Sequence, residues 1–195
     1  MPLRQLPPVR DATPRDAAAL LELWGASCRT AAGVAQASVS AAQAVRDAER
    51  ALANTAADPD QRVVVAEQDE KLVAAVKLTR GPISPLSLES VVHTSFLVVA
   101  PELRRHGYAH ALLDAALSWA EEKDISEVTA ITDANRDTNR FFARLGLSTF
   151  GNMRHSSVSG LRKRLATGRG HAGGNRHLVE VLAQRRSMRR RQSSV

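Results

Sequence analysis

Val98-Val99-Ala100-Pro101-Glu102-Leu103-Arg104-Arg105-His106-Gly107-Tyr108-Ala109 is the stretch of this 195-residue chain best equipped to hold an anion. The apolar, β-branched run over 91–99 is closed by Pro101, which cannot continue a ladder. From Ala109 onward Leu112, Leu113, Ala116, Leu117 and Ala120 recur at helical spacing, so a strand turns directly into a helix. The start of a helix exposes unpaired N–H groups and the positive end of its dipole, which suits phosphate. Gly107 and Ala109 let a ligand come close to the backbone. Arg104 and Arg105 either add charge there or are solvated surface arginines. The turn has neither the Gly-Lys-Ser/Thr of a triphosphate loop nor the three spaced glycines of a dinucleotide fold. His106 and His110 have the spacing of helical metal ligands, but no third ligand is near in sequence, so no metal is expected.

Other elements must carry this turn. Thr13-Pro14-Arg15-Asp16 reads as a helix start, with Thr13 as N-cap and Asp16 reaching back to it, and the helix should run to about Cys28. A second helix begins near Ser38 or Ser40, with Ala41, Val45, Ala48 and Leu52 on one face, and Asp58-Pro59-Asp60 ends it. Runs at 62–67 and 72–79, separated by Gln68-Asp69-Glu70-Lys71, fit an antiparallel hairpin, and a Gly-Pro-Ile-Ser-Pro loop follows. A short strand is expected at 127–132 and a helix at 138–145 stopped by Gly146. Two strands at 147–154 and 157–165 would complete the body.

The block from Val98 to Leu113, together with Asn135-Arg-Asp-Thr-Asn-Arg-Phe-Phe-Ala-Arg-Leu-Gly-Leu147, resembles the coenzyme signature of the GNAT superfamily of acetyl-coenzyme A dependent N-acetyltransferases. Element order over roughly 7–166 agrees with it. The resemblance implies an α/β (α+β) fold, a mixed, largely antiparallel twisted sheet of about seven strands flanked by four helices. It also implies acetyl-CoA as co-substrate, with the amides of the turn from Arg104 through Arg105, His106, Gly107 and Tyr108 to Ala109 on the pyrophosphate. The strand segment Leu97, Val98, Val99 would pair with the pantetheine arm, the Val99 N–H would meet the thioester oxygen, and Asn135 would contact the pantetheine. Such a donor is what attack on a thioester needs, because negative charge builds on the carbonyl oxygen.

Acetyl transfer to an amine also needs a proton acceptor. His93 lies on the strand that ends at Val99, where family members with a carboxylate base often carry glutamate, and an unperturbed histidine titrates in the right range. Its other reading is a satisfied structural histidine. Strict alternation puts His93, Ser95, Leu97 and Val99 on one sheet face, opposite Thr94, Phe96 and Val98. Glu89 and Glu67 are lesser candidates for the base. Many relatives place a tyrosine in the second block to protonate the departing thiolate, and here Phe142 stands at that position. The chain's only tyrosine is Tyr108, in the pyrophosphate turn. The thiolate would therefore leave unassisted, or take a proton from water, Ser95 or the substrate ammonium, which a thiol of pKa about 8 to 9 allows. Otherwise the protein binds coenzyme without efficient turnover. Cys28 could form an acetyl-enzyme in principle, but a plain helix residue is the simpler reading.

With 44% apolar and 24% charged residues the chain has the balance of a folded globular protein. No apolar run is long enough to span a membrane, and the first residues lack the apolar stretch of a secretory signal, so a cytoplasmic protein is expected. One cysteine excludes an internal disulfide. The net charge of +7 is unevenly spread, with +9 over residues 162–195 and −2 over the first 161. Four glycines in 167–175 read as a linker, which gives a domain at 1–166 and a basic tail at 167–195. That tail is read as a basic helix for nucleic acid, as a helix packing on the body or on a second subunit in a homodimer, or as a solvated end. The acceptor is expected to be an amine of a small molecule or peptide. The cleft residues Trp24, Cys28, Arg29, Thr30, 31–37 and 151–155 do not identify it. The alternative function is a catalytically weak acetyl-CoA-binding regulatory module whose basic tail associates with nucleic acid.

Overall fold

The computed structural model describes residues 6–31, 40–132, 136–149, 151 and 157–171. The chain divides into two compact units, Met1–Thr149 and Phe150–Val195. In the first, β1 (Val9–Asp11) leads through a 3-10 turn into α1 (Ala17–Ala31), followed by α2 (Ala41–Ala57), β2 (Gln61–Gln68), β3 (Lys71–Pro82) and β4 (Ser90–Val99). Then come α3 (Tyr108–Glu121), β5 (Val128–Ala130) and α4 (Arg136–Arg144).

The capping box expected at Thr13 is present: the Thr13 N–H donates to Asp16 at 2.7 Å. Ser40 caps α2, its hydroxyl accepting from the Gln43 N–H at 3.2 Å. The hairpin forms as β2–β3, and β3 runs further than expected. Gly81 and Pro82, read as loop, pair with Val91 and Ser90.

Among the described residues five strands lie in the order β1-β2-β3-β4-β5, antiparallel except for the parallel β4–β5 pair. One sheet face buries Val64, Val76, Leu78 and Val92 against Leu112, Ala116 and Trp119 of α3. The other buries Val63, Val65 and Ala75 against Ala17 and Leu20 at the α1 end and Leu52 of α2. Burying such branched side chains on both faces makes the middle of the sheet a fixed platform, at about 1.5–3 kcal/mol for each large one.

The strand count is corrected. Residues 157–165, expected as a strand, belong to a helix of the second unit, α5 (Val158–His171). The Ser157 hydroxyl accepts from the Gly160 N–H at 3.1 Å, an N-cap that starts a helix. Val158, Leu161 and Leu165 then follow at helical rather than alternating spacing. This helix also takes in the first residues of the glycine-rich stretch read as linker, up to His171. Residues 147–149 form no strand, and 150 and 152–156 lie outside the described residues.

Candidate active site on the fourth strand

β4 is regular up to Ser95 and then breaks step. Its partners on β3 run from Lys77, opposite Ser95, to Ala75, opposite Val98, so Phe96 and Leu97 together face Val76. Phe96 takes a φ of 53°, in the left-handed region, which is the conformation of a β-bulge. Trp24 of α1 donates its indole N–H to the Phe96 carbonyl at 2.8 Å, with the two rings 6.1 Å apart.

The bulge corrects the expected alternation. Leu97 and Val99 pack with the core on the α3 face, alongside Val92, whereas Val98 packs on the α1–α2 face. His93 and Ser95 lie opposite Thr79 and Lys77, on the strand face that Ala75 shares with α1 and α2. The His93 and Ser95 side chains are therefore on the opposite face from those of Leu97 and Val99.

The bulge also turns the backbone. The Ala100 N–H donates to the Val73 carbonyl at 2.8 Å, so by alternation the N–H groups of Leu97 and Val99 face the other strand edge. On that edge the described pairing of β5 with β4 covers Val92, His93 and Thr94, and the bond from the Ile131 N–H to the Thr94 carbonyl lies just beyond. Among the described residues no strand pairs with this edge beyond Thr94.

At the end of β4, Pro101–Leu103 form a 3-10 turn, Arg105 takes a φ of 66° and Gly107 one of 96°. Gly107 is the N-cap of α3. The Ala111 N–H to Gly107 carbonyl bond, 3.0 Å, is the first of the helix, so the amides of Tyr108, Ala109 and His110 precede it. A Cβ at Gly107 would only touch the Pro7 ring, at 3.4 Å, so it is the positive φ that calls for glycine here. Chain reversals at Arg105 and Gly107 and a helix start together present amides to an anion, and Arg104 and Arg105 stand exposed beside them.

The remaining residues of this region have defined places. His106 Nδ1 is 2.9 Å from the Arg104 carbonyl, which only accepts, so Nδ1 carries the proton. His110 packs edge-on against Phe141 of α4, centroids 5.4 Å apart. Tyr108 is buried and donates its hydroxyl to Gln68 Oε1 at 2.6 Å, tying α3 to the β2–β3 turn and leaving only its backbone to the turn. Phe142 is buried, its ring 5.2 Å from that of Phe141. Asn135 and the side chains of Cys28, Arg29 and Thr30 lie outside the described residues, as do 32–37 and 152–155.

His93 is partly buried, with Nδ1 2.7 Å from the hydroxyl of Thr129 on β5. The Ser95 hydroxyl donates to the Lys77 carbonyl at 3.4 Å. Glu67 is bonded to Arg10. Sequence reasoning missed Thr129, since nothing in its neighbourhood distinguishes it, and the role of Trp24 in closing the bulge. Among the described residues no group of three His, Cys, Asp or Glu could hold a metal ion, and no helix is long and apolar enough to cross a membrane.

The profile of the acetyltransferase (GNAT) family matches residues 28–147, more than half of the chain. The chain belongs to the GNAT acetyltransferase family. Its fold is similar to that of a putative acetyltransferase from Agrobacterium tumefaciens, at 19% identity and a TM-score of 0.60 over 77% of this chain and 99% of that one. It is similar to glucosamine-6-phosphate N-acetyltransferase from Arabidopsis thaliana, at 14% identity and a TM-score of 0.60 over 77% and 97%. A predicted acetyltransferase with acetyl-CoA from Clostridium acetobutylicum is similar at 14% identity and a TM-score of 0.60, over 77% and 96%. No curated protein sequence matches the chain. Acetyl transfer is the chemistry of the family to which the chain belongs.

Proposed function

We propose that this GNAT chain is an N-acetyltransferase that moves the acetyl group of acetyl-CoA to a primary amine of a small molecule or peptide, with His93 as the proton acceptor. One observation carries the reading: a single strand presents an imidazole on its α1–α2 face and, just past a bulge, two backbone donors on the edge away from β3. The turn from Arg104 to Ala109 would hold the pyrophosphate, and the backbone of Leu97, Val98 and Val99 the pantetheine arm. The Val99 N–H would stabilise the oxyanion.

The amine nitrogen attacks the thioester carbon, forming the C–N bond. Its surplus proton passes to His93, and collapse of the tetrahedral adduct breaks the C–S bond. Phe142 cannot protonate the thiolate, which leaves as such and takes its proton from water or from the protonated imidazole. Thiol release from acetyl-CoA in a panel of amino acids, simple primary amines and lysine peptides tests the reading. Release with at least one acceptor, lost in His93→Gln with coenzyme binding retained, is the expected result.

A second reading is favoured by the buried Phe142, which offers no hydroxyl, and by the +9 of residues 162–195. It is a coenzyme-binding regulatory module that associates with nucleic acid. No thiol release with any acceptor, together with salt-sensitive DNA binding lost on replacing Arg189, Arg190 and Arg191 by glutamine, would select it.

A further inference from the structure

We propose that Thr129 is the positioning residue of the base: its hydroxyl oxygen accepts the Nδ1–H of His93 and leaves Nε2 as the basic nitrogen, held over the backbone of Gly81. This rests on the reading of His93 as the proton acceptor.

The pairing of β4 with β5 is parallel and in register at His93 and Thr129, so both side chains stand on one face. The Nδ1 to Oγ1 distance of 2.7 Å is that of a full hydrogen bond. The segment that carries Thr129 is held to β4 by three bonds. The Val92 N–H donates to the Glu127 carbonyl at 3.1 Å, the Ile131 N–H to the Thr94 carbonyl at 2.8 Å, and the Thr94 hydroxyl to the carbonyl of Thr129 at 3.0 Å. Thr94 is buried, so water does not compete for that last bond.

A hydroxyl can donate to a neutral imidazole or accept from it, but an imidazolium has two donors and no acceptor. Only the arrangement in which Thr129 accepts serves His93 both before and after it takes a proton, with no turn of the ring. The opposite edge of the ring lies beside Gly81, which has no side chain to cover it. A Cβ at Gly81 would lie 3.9 Å from both Cδ2 and Nε2 of His93, so any longer side chain there would sit against the nitrogen that must meet the amine. Gly81 has no positive φ and no close backbone neighbour that demands glycine. Its smallness serves access to Nε2.

Nitrogen-15 correlation spectra of the full-length protein, without coenzyme or amine, read the tautomer of His93 directly. The Nδ1–H form is expected in the wild type and in Thr129→Ser, and a shift toward the Nε2–H form in Thr129→Val. With the amine that gives the fastest thiol release in the panel, Thr129→Val should lower kcat about tenfold with the KM of acetyl-CoA unchanged, the scale of one lost hydrogen bond. Thr129→Ser should restore it. Gly81→Val should raise the KM of the amine and leave the tautomer alone. An Nε2–H tautomer in the wild type overturns the proposal, as does a Thr129→Val protein with unchanged tautomer or unchanged kcat while His93→Gln is inactive. If His93→Gln stays active, the reading of His93 as base fails first and the proposal falls with it, whatever the tautomer. Should Thr129→Val not fold, the wild-type tautomer and the Thr129→Ser kinetics decide.

Discussion

The indole N–H of Trp24 reaches the carbonyl of Phe96 at 2.8 Å, which ties α1 to the residue where β4 leaves its regular ladder. A bulged residue has lost its cross-strand partner, and a phenylalanine at positive φ is held there only if something else secures its backbone. The Trp24 bond does so, and the bulge in turn directs the amides of Leu97 and Val99 to the edge away from β3.

Trp24→Phe keeps most of the ring and removes the donor. We expect a loss of about 1 kcal/mol in denaturant unfolding, the net worth of one such bond. The larger effect should be on chemistry, with kcat falling more than the affinity for acetyl-CoA. Calorimetric titration of coenzyme beside thiol-release kinetics separates the two.

Gly107 is set by conformation rather than packing. Its φ of 96° is one that a Cβ disfavours, and Pro7 stands 3.4 Å from where that Cβ would be. Gly107→Ala should cost about 1–2 kcal/mol of stability. It should also weaken acetyl-CoA binding, because the amides that follow Gly107 move with it. A protein as stable as wild type with unchanged coenzyme affinity would show that the turn does not depend on this backbone.

Much of the site was legible because it is written in local signals. Pro101 stops a strand, Gly107 starts a helix, and the hairpin of β2 and β3 follows from two apolar runs around a polar turn. The bulge was not legible, because residues 96–99 are an unbroken apolar run with no polar and apolar alternation for a bulge to interrupt. Phe96 also has no propensity for positive φ that could announce it. The Thr129–His93 pair was hidden for a different reason: α3 lies between them in sequence, and the register of a parallel pair is set by how that crossover packs. At 157–165 the sequence did hold the answer. Ser157 as N-cap and the spacing of Val158, Leu161 and Leu165 are helical signals, which the strand reading passed over.

Asp16 supplies a pH-dependent contribution to stability. Arg10 donates to its carboxylate at 2.8 and 2.9 Å, and Thr13 adds its N–H, which hold the Asp16 carboxyl at about 2, below the usual 3.8. A carboxyl lowered in the folded state contributes stability that is present above its unfolded value and lost as pH falls through its folded one. Asp16→Asn should therefore be less stable than wild type at neutral pH, and the gap should close as pH falls from about 4 toward about 2. Unfolding curves at neutral pH and at steps down the acid limb check this, and a gap that persists in strong acid would assign the effect to packing at the cap.

Arg80 offers the complementary case, a residue that should matter to the fold and not to the coenzyme. Its side chain is 6% exposed, its guanidinium carbon lies 3.8 Å from the centre of the Trp119 ring, and it donates to the Trp119 carbonyl and to Glu122 at 3.3 Å. It thereby closes the end of α3 with a positive charge on the last carbonyls, where the helix dipole favours one. Arg80→Ala removes the stack and leaves a buried carbonyl without its donor, which should cost about 2–3 kcal/mol. Arg80→Lys keeps the charge without the flat stack and should fall between the two. Trp119 stands about 18 Å along the helix from Gly107, at 1.5 Å per residue, so the affinity for acetyl-CoA should be unchanged in both variants while they remain folded. A coenzyme affinity that falls together with stability would mean that the start of α3 is positioned from its far end.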